Sequence, residues 1–220
     1  REGYFKKITP QSLRMADTQK YKENDGLRQS AETTNRAEVM FFTSRQQVYK
    51  CRLSDFDDAK ASVLGDYLPT KLGMEPEEAV VGMVLPGDYG GSMLFFFENG
   101  KAARVELSAY ATTSNRRRLT GAYSDKSPLA ALLHLTEDRE LVLYSSDSRA
   151  LIFSTALLAP KTTRSTQGVQ VMALKTRGRL AEVRELADSA ITNLGRYRCR
   201  SIPAAGALLK EEDGDQMRLL

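Results

Sequence analysis

Three times along this chain, an unbroken apolar, aromatic-rich run is followed by a short polar break and then by a run of alternating apolar and charged residues. The copies are VMFFTSRQQVYKCRLSDF (residues 39–56), MLFFFENGKAARVELSAY (93–110) and LVLYSSDSRALIFSTALL (141–158). A run that is apolar throughout, such as residues 93–97, suits a strand covered on both faces. The run after the break has period two. In residues 101–107, Ala103, Val105 and Leu107 share one parity, while Arg104 and Glu106 take the other. Tyr49, Cys51 and Leu53 oppose Lys50 and Arg52 in the same way. Such alternation marks a strand buried on one side with its charged residues turned outward. Each copy therefore reads as a β-hairpin. Asn99-Gly100 is a strong turn signal, because both residues tolerate positive φ. Gln46 and Ser148 stand at the equivalent place and predict longer or bulged turns.

The turn positions Gln46, Gly100 and Ser148 recur at about 50 residues, the spacing of an array of short-stranded repeats. A further copy, EGYFKKITPQSL at residues 2–13, places Gly3 at the turn and lacks its first strand. The chain accordingly reads as part of a longer protein. Downstream of the hairpins, Gly65, Gly121 and Gly168 each follow a polar or basic loop, at residues 57–60, 112–118 and 161–164. Apolar runs at 79–85, 129–135 and 180–183 then close the units. Residues 180–191 also carry a second pattern, a short helix with Leu180, Val183, Leu186, Ala187 and Ala190 on one side. Residues 196–202 are expected to supply one more strand. The prediction is an all-β, propeller-like array of four-stranded blades, four to five in number, over residues 1–202. An acidic, frayed tail follows at 203–220.

At 220 residues, 41% hydrophobic and 27% charged, the chain suits a globular array rather than a disordered one. Tryptophan is absent, which weakens a WD-type reading. No apolar stretch approaches the ~20 residues of a membrane span, and no leader precedes the first repeat, so no membrane partner is expected. Cys51 and Cys199 share no metal or redox spacing and read as reduced, buried thiols of a cytoplasmic protein. The net charge is +4, yet residues 161–200 hold nine Lys/Arg against three Asp/Glu. Residues 203–220 reverse this, with two basic residues and four acidic ones. A basic body of this kind favours a polyanionic partner.

In order and spacing, EGYFKKITPQSL, FTSRQQVYK at residues 42–50, FFFENGKAARVELSAY and APKTTRSTQGVQVM resemble the C-terminal domain of the bacterial type IIA topoisomerase A subunits, those of DNA gyrase and topoisomerase IV. The resemblance implies a β-pinwheel, a propeller-like fold whose four-stranded blades exchange strands. It implies duplex DNA bent around a basic rim, without base specificity, and presented to the catalytic core of the same A subunit. A topoisomerase B subunit is a further implied partner. No cofactor is expected in this chain, whereas the resemblance implies ATP and Mg2+ for the full enzyme, in the bacterial cytoplasm with the nucleoid. Gyrase A subunits carry a box of roughly Q-[RK]-R-G-G-[RK]-G in their first unit. The comparable stretch here, MADTQKYKENDGL at residues 15–27, has no such box. A topoisomerase IV-like or paralogous subunit is thus the nearer comparison. The rival reading is a protein-interaction propeller with no role at DNA.

Holding a duplex without reading its bases takes cations placed along a surface, with hydroxyls beside them for phosphate. The candidate DNA contacts are Arg116, Arg117 and Arg118 in one loop, Lys161 and Arg164 one unit later, and Lys60 in the unit of residues 39–56. Lys50, Arg52 and Arg104 on the alternating strands follow, with Lys6 and Lys7 in the opening copy. Arg177, Arg179 and the alternating Arg196, Arg198 and Arg200 would extend the same path if the last three share a strand face. No catalytic or metal residue is assigned. Tyr197 follows an arginine as the family's nucleophile does, but that pair belongs to the catalytic core, and Tyr197 reads as packing. His134, inside an apolar strand, reads as core. Asp55, Asp57 and Asp58 lack the glycine-punctuated frame of a calcium loop, and residues 87–91 lack the Lys of a phosphate loop.

Overall fold

The computed structural model describes residues 2–112 and 117–214. In chain order the strands are β1 (Tyr4–Phe5), β2 (Glu38–Thr43), β3 (Gln47–Arg52), β4 (Asp66–Tyr67), β5 (Val80–Val84), β6 (Ser92–Phe97) and β7 (Lys101–Glu106). They continue as β8 (Arg118–Thr120), β9 (Leu129–Leu135), β10 (Glu140–Ser145), β11 (Arg149–Ser154), β12 (Val169–Gln170), β13 (Leu180–Glu185) and β14 (Ala207–Leu208). Two compact units divide them. One comprises residues 1–88 and 112–122, the other residues 89–111 and 123–220. The first unit holds the pair β1-β4 and the sheet β5-β2-β3-β8; the second holds β9-β6-β7-β12 and β13-β10-β11-β14. Three sheets are thus four-stranded, whereas the opening one, expected to lack only its first strand, has two strands among the described residues. Every pairing within these sheets is antiparallel.

One connection rule generates three of the four sheets. In these the second strand of the repeat pairs with a short strand that arrives only after the next hairpin has been made, while β11 takes β14 with no hairpin between them. β3 takes β8, β7 takes β12, and β1 takes β4. The unbroken apolar runs form the interior strands: every residue of β6 is buried, and β2 is buried from Val39 to Thr43. Each fully buried Phe side chain on β6 contributes about 1.5–3 kcal/mol by removal from water. Within the second unit Leu94 and Phe96 pack with Leu141, Leu143, Leu151 and Phe153; within the first, Val39 and Phe41 pack with Tyr49, Leu53, Phe56 and Leu68.

The hairpin turns are alike, contrary to the expectation of longer loops at Gln46 and Ser148. In each, the N–H of the turn residue reaches back three positions: Gln46 to Thr43 (3.2 Å), Gly100 to Phe97 (2.9 Å) and Ser148 to Ser145 (3.1 Å). Gln46, Gly100 and Ser148 have φ of 54°, 80° and 58°, so two non-glycine residues accept the left-handed region. The reason is shared with Gly3: each turn carbonyl receives a backbone N–H from the exchanged segment. Leu68 donates to Gly3 (2.9 Å), Ala122 to Gln46 (2.8 Å), Met172 to Gly100 (3.0 Å) and Leu209 to Ser148 (2.8 Å). The irregularity falls elsewhere, as a register shift where β5, β9 and β13 pair beside the turns.

Glycine equivalence also differs from the spacing-based one. Gly65, Gly168 and Gly206 directly precede β4, β12 and β14, and a Cβ on each would lie 2.2, 2.1 and 2.5 Å from a carbonyl oxygen of the partner strand. Arg118 fills that position in the remaining repeat. Gly121 instead follows β8 and would meet nothing within 4 Å.

Residues 180–185 are strand rather than helix, because β10 is an open partner for them. Residues 194–197 form a helical turn, which removes Arg196, Arg198 and Arg200 from a common strand face; the last exchanged strand is β14. The acidic tail expected from residue 203 is, as far as Gly214, part of the fold. Asp213 is fully buried and accepts from the Thr192 N–H (2.9 Å) and hydroxyl (2.7 Å), the Asn193 N–H (3.2 Å) and the Tyr197 hydroxyl (2.9 Å). Tyr197, itself buried, accepts the Lys210 N–H at 3.2 Å. Both of these hydroxyl contacts are internal to the fold.

Two stability measurements test this account. Gly121→Ala should cost about 1–2 kcal/mol in urea unfolding, the ordinary penalty of positive φ. Gly168→Ala should cost about 3 kcal/mol or more, because backbone must also move; equal losses would mean that close approach at β12 is unimportant. The bonds from Thr192, then Tyr197 and Asn193, hold the Asp213 carboxyl well below its ordinary 3.8. A depressed carboxyl stabilises the fold above its unfolded value, and that contribution drains away as pH falls through and below it. Wild type should therefore lose stability below about pH 4 more steeply than Asp213→Asn. Parallel acid limbs would exclude Asp213 as the linked group.

Candidate nucleic-acid interface

The candidate cations fall into two classes by position in the repeat. Lys7, Lys50 and Arg104 each stand four residues after a turn residue, and all three are turned into the fold. Lys50, 8% exposed, pairs with Glu38 (3.5 Å) and donates to the Thr112 hydroxyl (3.2 Å). Arg104 pairs with Asp138 (2.8 Å) and donates to Ser92 Oγ and to the carbonyls of Thr155 and Leu158. Lys7 pairs with Asp58 at 3.0 Å. The strict alternation expected of these strands fails for a definite reason: the polar parity of β3 and β7 is itself partly covered, Lys50 by Glu38 and Thr112, and Arg104 by Ser92, Asp138 and the carbonyls of Thr155 and Leu158. The signal was available, since equivalent positions in three repeats carry a cation, while Ile152 occupies the same place in the fourth.

Lys6 is held by neutral acceptors: Gln19 Oε1 (3.2 Å), Lys20 O (3.0 Å) and Ala61 O (3.3 Å), with its ammonium 5.7 Å from the Tyr21 ring centre. Burial lowers its pKa from the ordinary lysine value. Arg164 is also half committed. It donates to Ala109 O (3.0 Å), lies 6.0 Å from the ring of buried Tyr110, and keeps a buried Nε without a partner among the described residues.

The second class lies in the loop that leads from each hairpin to its exchanged strand. Lys60 precedes β4, Arg117 precedes β8 and Lys161 precedes β12; all three are exposed. Among the described residues none of them has a carboxylate partner. Their loops are nonetheless fixed at the backbone. Lys161 donates to Arg104 O (2.9 Å) and accepts from Glu106 (2.8 Å), Lys50 donates to Arg117 O (2.7 Å), and Ala59 donates to Lys7 O (2.7 Å). Arg200, ahead of β14, is the exposed counterpart in the last repeat. Arg52 is exposed at the end of β3, where its N–H donates to Asp55 (3.1 Å). Arg118 is exposed but reaches Glu75 at 3.4 Å and hydrogen-bonds Tyr49. Arg116 lies outside the described residues. Arg198 is forked onto Glu140 (2.6 and 2.8 Å), and Arg196 donates to Leu208 O (3.2 Å).

His134, read from the sequence as core, is only half-buried on β9, and its Nε2 is 3.2 Å from Gly90 O. Both cysteines are free, and burial pushes the Cys51 thiol up to about 11, which keeps it protonated. Among the described residues no group of three or more His, Cys, Asp or Glu could hold a metal, and no helix is long and apolar enough to cross a membrane.

The arrangement of sheets is shared with known proteins. The C-terminal domain of DNA topoisomerase IV superimposes with a TM-score of 0.74 at 21% identity, covering 86% of this chain and 60% of that one. The DNA gyrase A C-terminal domain gives 0.56 at 15% identity over 83% and 64%, and the E. coli ParC C-terminal domain gives 0.57 at 15% over 75% and 68%. In sequence, the DNA gyrase A subunits of Mycobacterium bovis (BCG / Pasteur 1173P2) and Mycobacterium tuberculosis (CDC 1551 / Oshkosh) are each 24% identical over 170 residues. That match takes in 74% of this chain and only 20% of each subunit. No protein-family model matches. The fold is the β-pinwheel of these C-terminal domains.

The internal class of cations should answer to stability. Arg104→Met keeps the stem and deletes the charge-assisted bonds, at a cost of about 2 kcal/mol in chemical denaturation. Lys161→Ala should stay within about 0.5 kcal/mol of wild type. Comparable losses at both would erase the distinction between the two classes.

Proposed function

We propose that this chain is the C-terminal accessory domain of a type IIA topoisomerase A subunit, binding and bending duplex DNA for a catalytic core that lies elsewhere in the protein. The observation that carries the reading is the recurrence of Lys60, Arg117 and Lys161 in one and the same loop of successive repeats, exposed and without a carboxylate partner among the described residues. The fold shared with the topoisomerase IV and gyrase A domains supports it. Arg116, next to Arg117 in the sequence, and the exposed Arg118 and Arg52 are proposed as further contacts, Arg118 by exchanging its 3.4 Å pair with Glu75. Arg164 would offer phosphate the part of its guanidinium not used on Ala109 and Tyr110. Arg is the stronger choice where a phosphate is to be gripped by two parallel bonds. Lys6, Lys7, Lys50 and Arg104 would have to abandon internal partners to reach DNA, so their role is to hold the loops. The B subunit, ATP and Mg2+ are assigned to the remainder of the enzyme, and the cytoplasmic nucleoid is its proposed location.

Cations that meet phosphate release condensed counterions, so affinity should fall steeply with salt. Replacing Lys60, Arg117 and Lys161 together with Ala should weaken duplex binding. It should also flatten the slope of log K against log salt by about 0.9 for each phosphate that is no longer neutralised. Gel shifts with duplexes of increasing length should show a threshold below which affinity drops, as bending requires. Binding that is independent of length and salt, or an unchanged slope in the triple variant, would leave a protein-docking platform as the better account.

A further inference from the structure

Beyond the proposed DNA role, the segment between β1 and β2 points to a device at a sheet edge. Residues 15–36 contain no strand, yet they are pinned to the first unit. Lys20 N–H donates to Ala61 O (2.9 Å), and Lys6 grips Gln19 and Lys20. Further along, Gln29 lies on the open side of β5: the Met83 N–H donates to Gln29 Oε1 (2.7 Å), and Gln29 Nε2 donates to Met83 O (3.1 Å). Arg28 continues the row, with Nη2 donating to Val81 O (2.7 Å) and Nη1 to Val80 O (3.4 Å). A carboxamide offers an N–H and a C=O side by side, as a peptide unit does. Gln29 therefore satisfies β5 in the way a fifth strand would, although both residues 28 and 29 are exposed and add no backbone ladder there.

This edge needs such cover more than the others. β4, β8, β12 and β14 are two or three residues long, too short to template a partner. β13 carries Glu182, Arg184 and Glu185, charges that are costly to cover with an added strand, and β9 lies against β13. β5 has neither protection. It is the five-residue run VVGMV, paired on one side with β2, and residues 79–85 (AVVGMVL) contain no charge and no proline. An uncharged, β-branched edge of this kind is a self-association hazard unless guarded.

We infer that Arg28 and Gln29 are a removable guard over a strand-addition surface, and that the partner this surface fits is the same β5 edge of a second copy of the chain. Two identical strands running antiparallel about a two-fold axis are self-complementary by symmetry. No like charges meet in the run 79–85, so nothing in the side chains opposes that pairing. With the guard closed the chain is a monomer; with it removed, the bonds at Val81 and Met83 pass to the second copy.

Sedimentation velocity over a concentration series, on the chain and on its Arg28→Ala/Gln29→Ala variant, tests this. Both replaced residues are exposed, so the variant should retain the fold, which its thermal melt checks. The wild type should remain monomeric where the variant dimerises, with the association midpoint lowered about tenfold or more. Adding Val81→Lys places a charge on the bared edge and should restore the monomer. Hydrogen exchange supplies the second readout: the Met83 amide should exchange faster in the dilute variant and regain protection as it dimerises. A variant that stays monomeric with Met83 unprotected would overturn strand addition, and unchanged Met83 exchange would overturn the guard. Dimerisation of the wild type, or dimerisation that survives Val81→Lys, would overturn the assigned surface.

Discussion

The second strand of every repeat in this chain leaves its own unit with one side unpaired, and only a short strand delivered from much later in the chain satisfies it. That strand comes after the following hairpin for β1, β3 and β7, and with no hairpin between for β11. Backbone groups left bare in this way would be both a loss of hydrogen bonding and a template for aggregation. The delivered strands are too short to hold by ladder bonds alone. They are fixed instead by the turn carbonyl, which takes an N–H from the arriving segment at Gly3, Gln46, Gly100 and Ser148 alike. That shared acceptor explains why Gln46 and Ser148 tolerate φ values that cost a side chain about 1–2 kcal/mol. It also explains the glycines at 65, 168 and 206, where the incoming backbone approaches too closely for a Cβ.

The fold also sorts its charges. Loops and neighbouring side chains close over the polar parity of the second hairpin strand, and a cation there is accommodated together with a carboxylate. Glu38, Asp58 and Asp138 supply that, each from a different place in its repeat. The loop running to the exchanged strand has the opposite character. Both of its ends are anchored by backbone bonds, while its side chains remain outside. On the proposed function this is the place where a cation meets phosphate with little loss of conformational freedom on binding.

Much of this was legible in the sequence. The unbroken runs at residues 93–97 and 39–43 announced strands covered on both faces, and the recurrence of the turn position located even the truncated opening copy at Gly3. What escaped was anything set by the partner of a segment rather than by the segment itself. Period two in residues 101–107 describes a strand with one wet face, and it cannot report that Ser92, Asp138 and the carbonyls of Thr155 and Leu158 close around Arg104. Residues 180–191 fit a helix by spacing, and only the free side of β10 decides for strand. Gly121 looked equivalent to Gly65 and Gly168 by distance along the chain. Register, which the sequence does not carry, gives that place to Arg118. The tail read as frayed because its charges are acidic, but Asp213 is one carboxylate matched to four donors from residues 192–197.

The same distinction bears on the stretch at residues 15–27, where gyrase A subunits carry their Arg- and Gly-rich box. Here several of its side chains and those next to it are engaged with other parts of the chain. Gln19 takes the Lys6 ammonium, Lys22 reaches Glu2 at 3.7 Å, Asp25 accepts the Glu2 N–H, and Arg28 and Gln29 lie along β5. A segment that must hold itself down and cover a sheet edge has few cations to offer a polyanion. If the chain engages DNA, the grip must then come from the loops that recur with the repeat, and each repeat contributes similarly rather than one dominating. That is the behaviour expected of a domain that bends a passing duplex rather than locking it at a single privileged point.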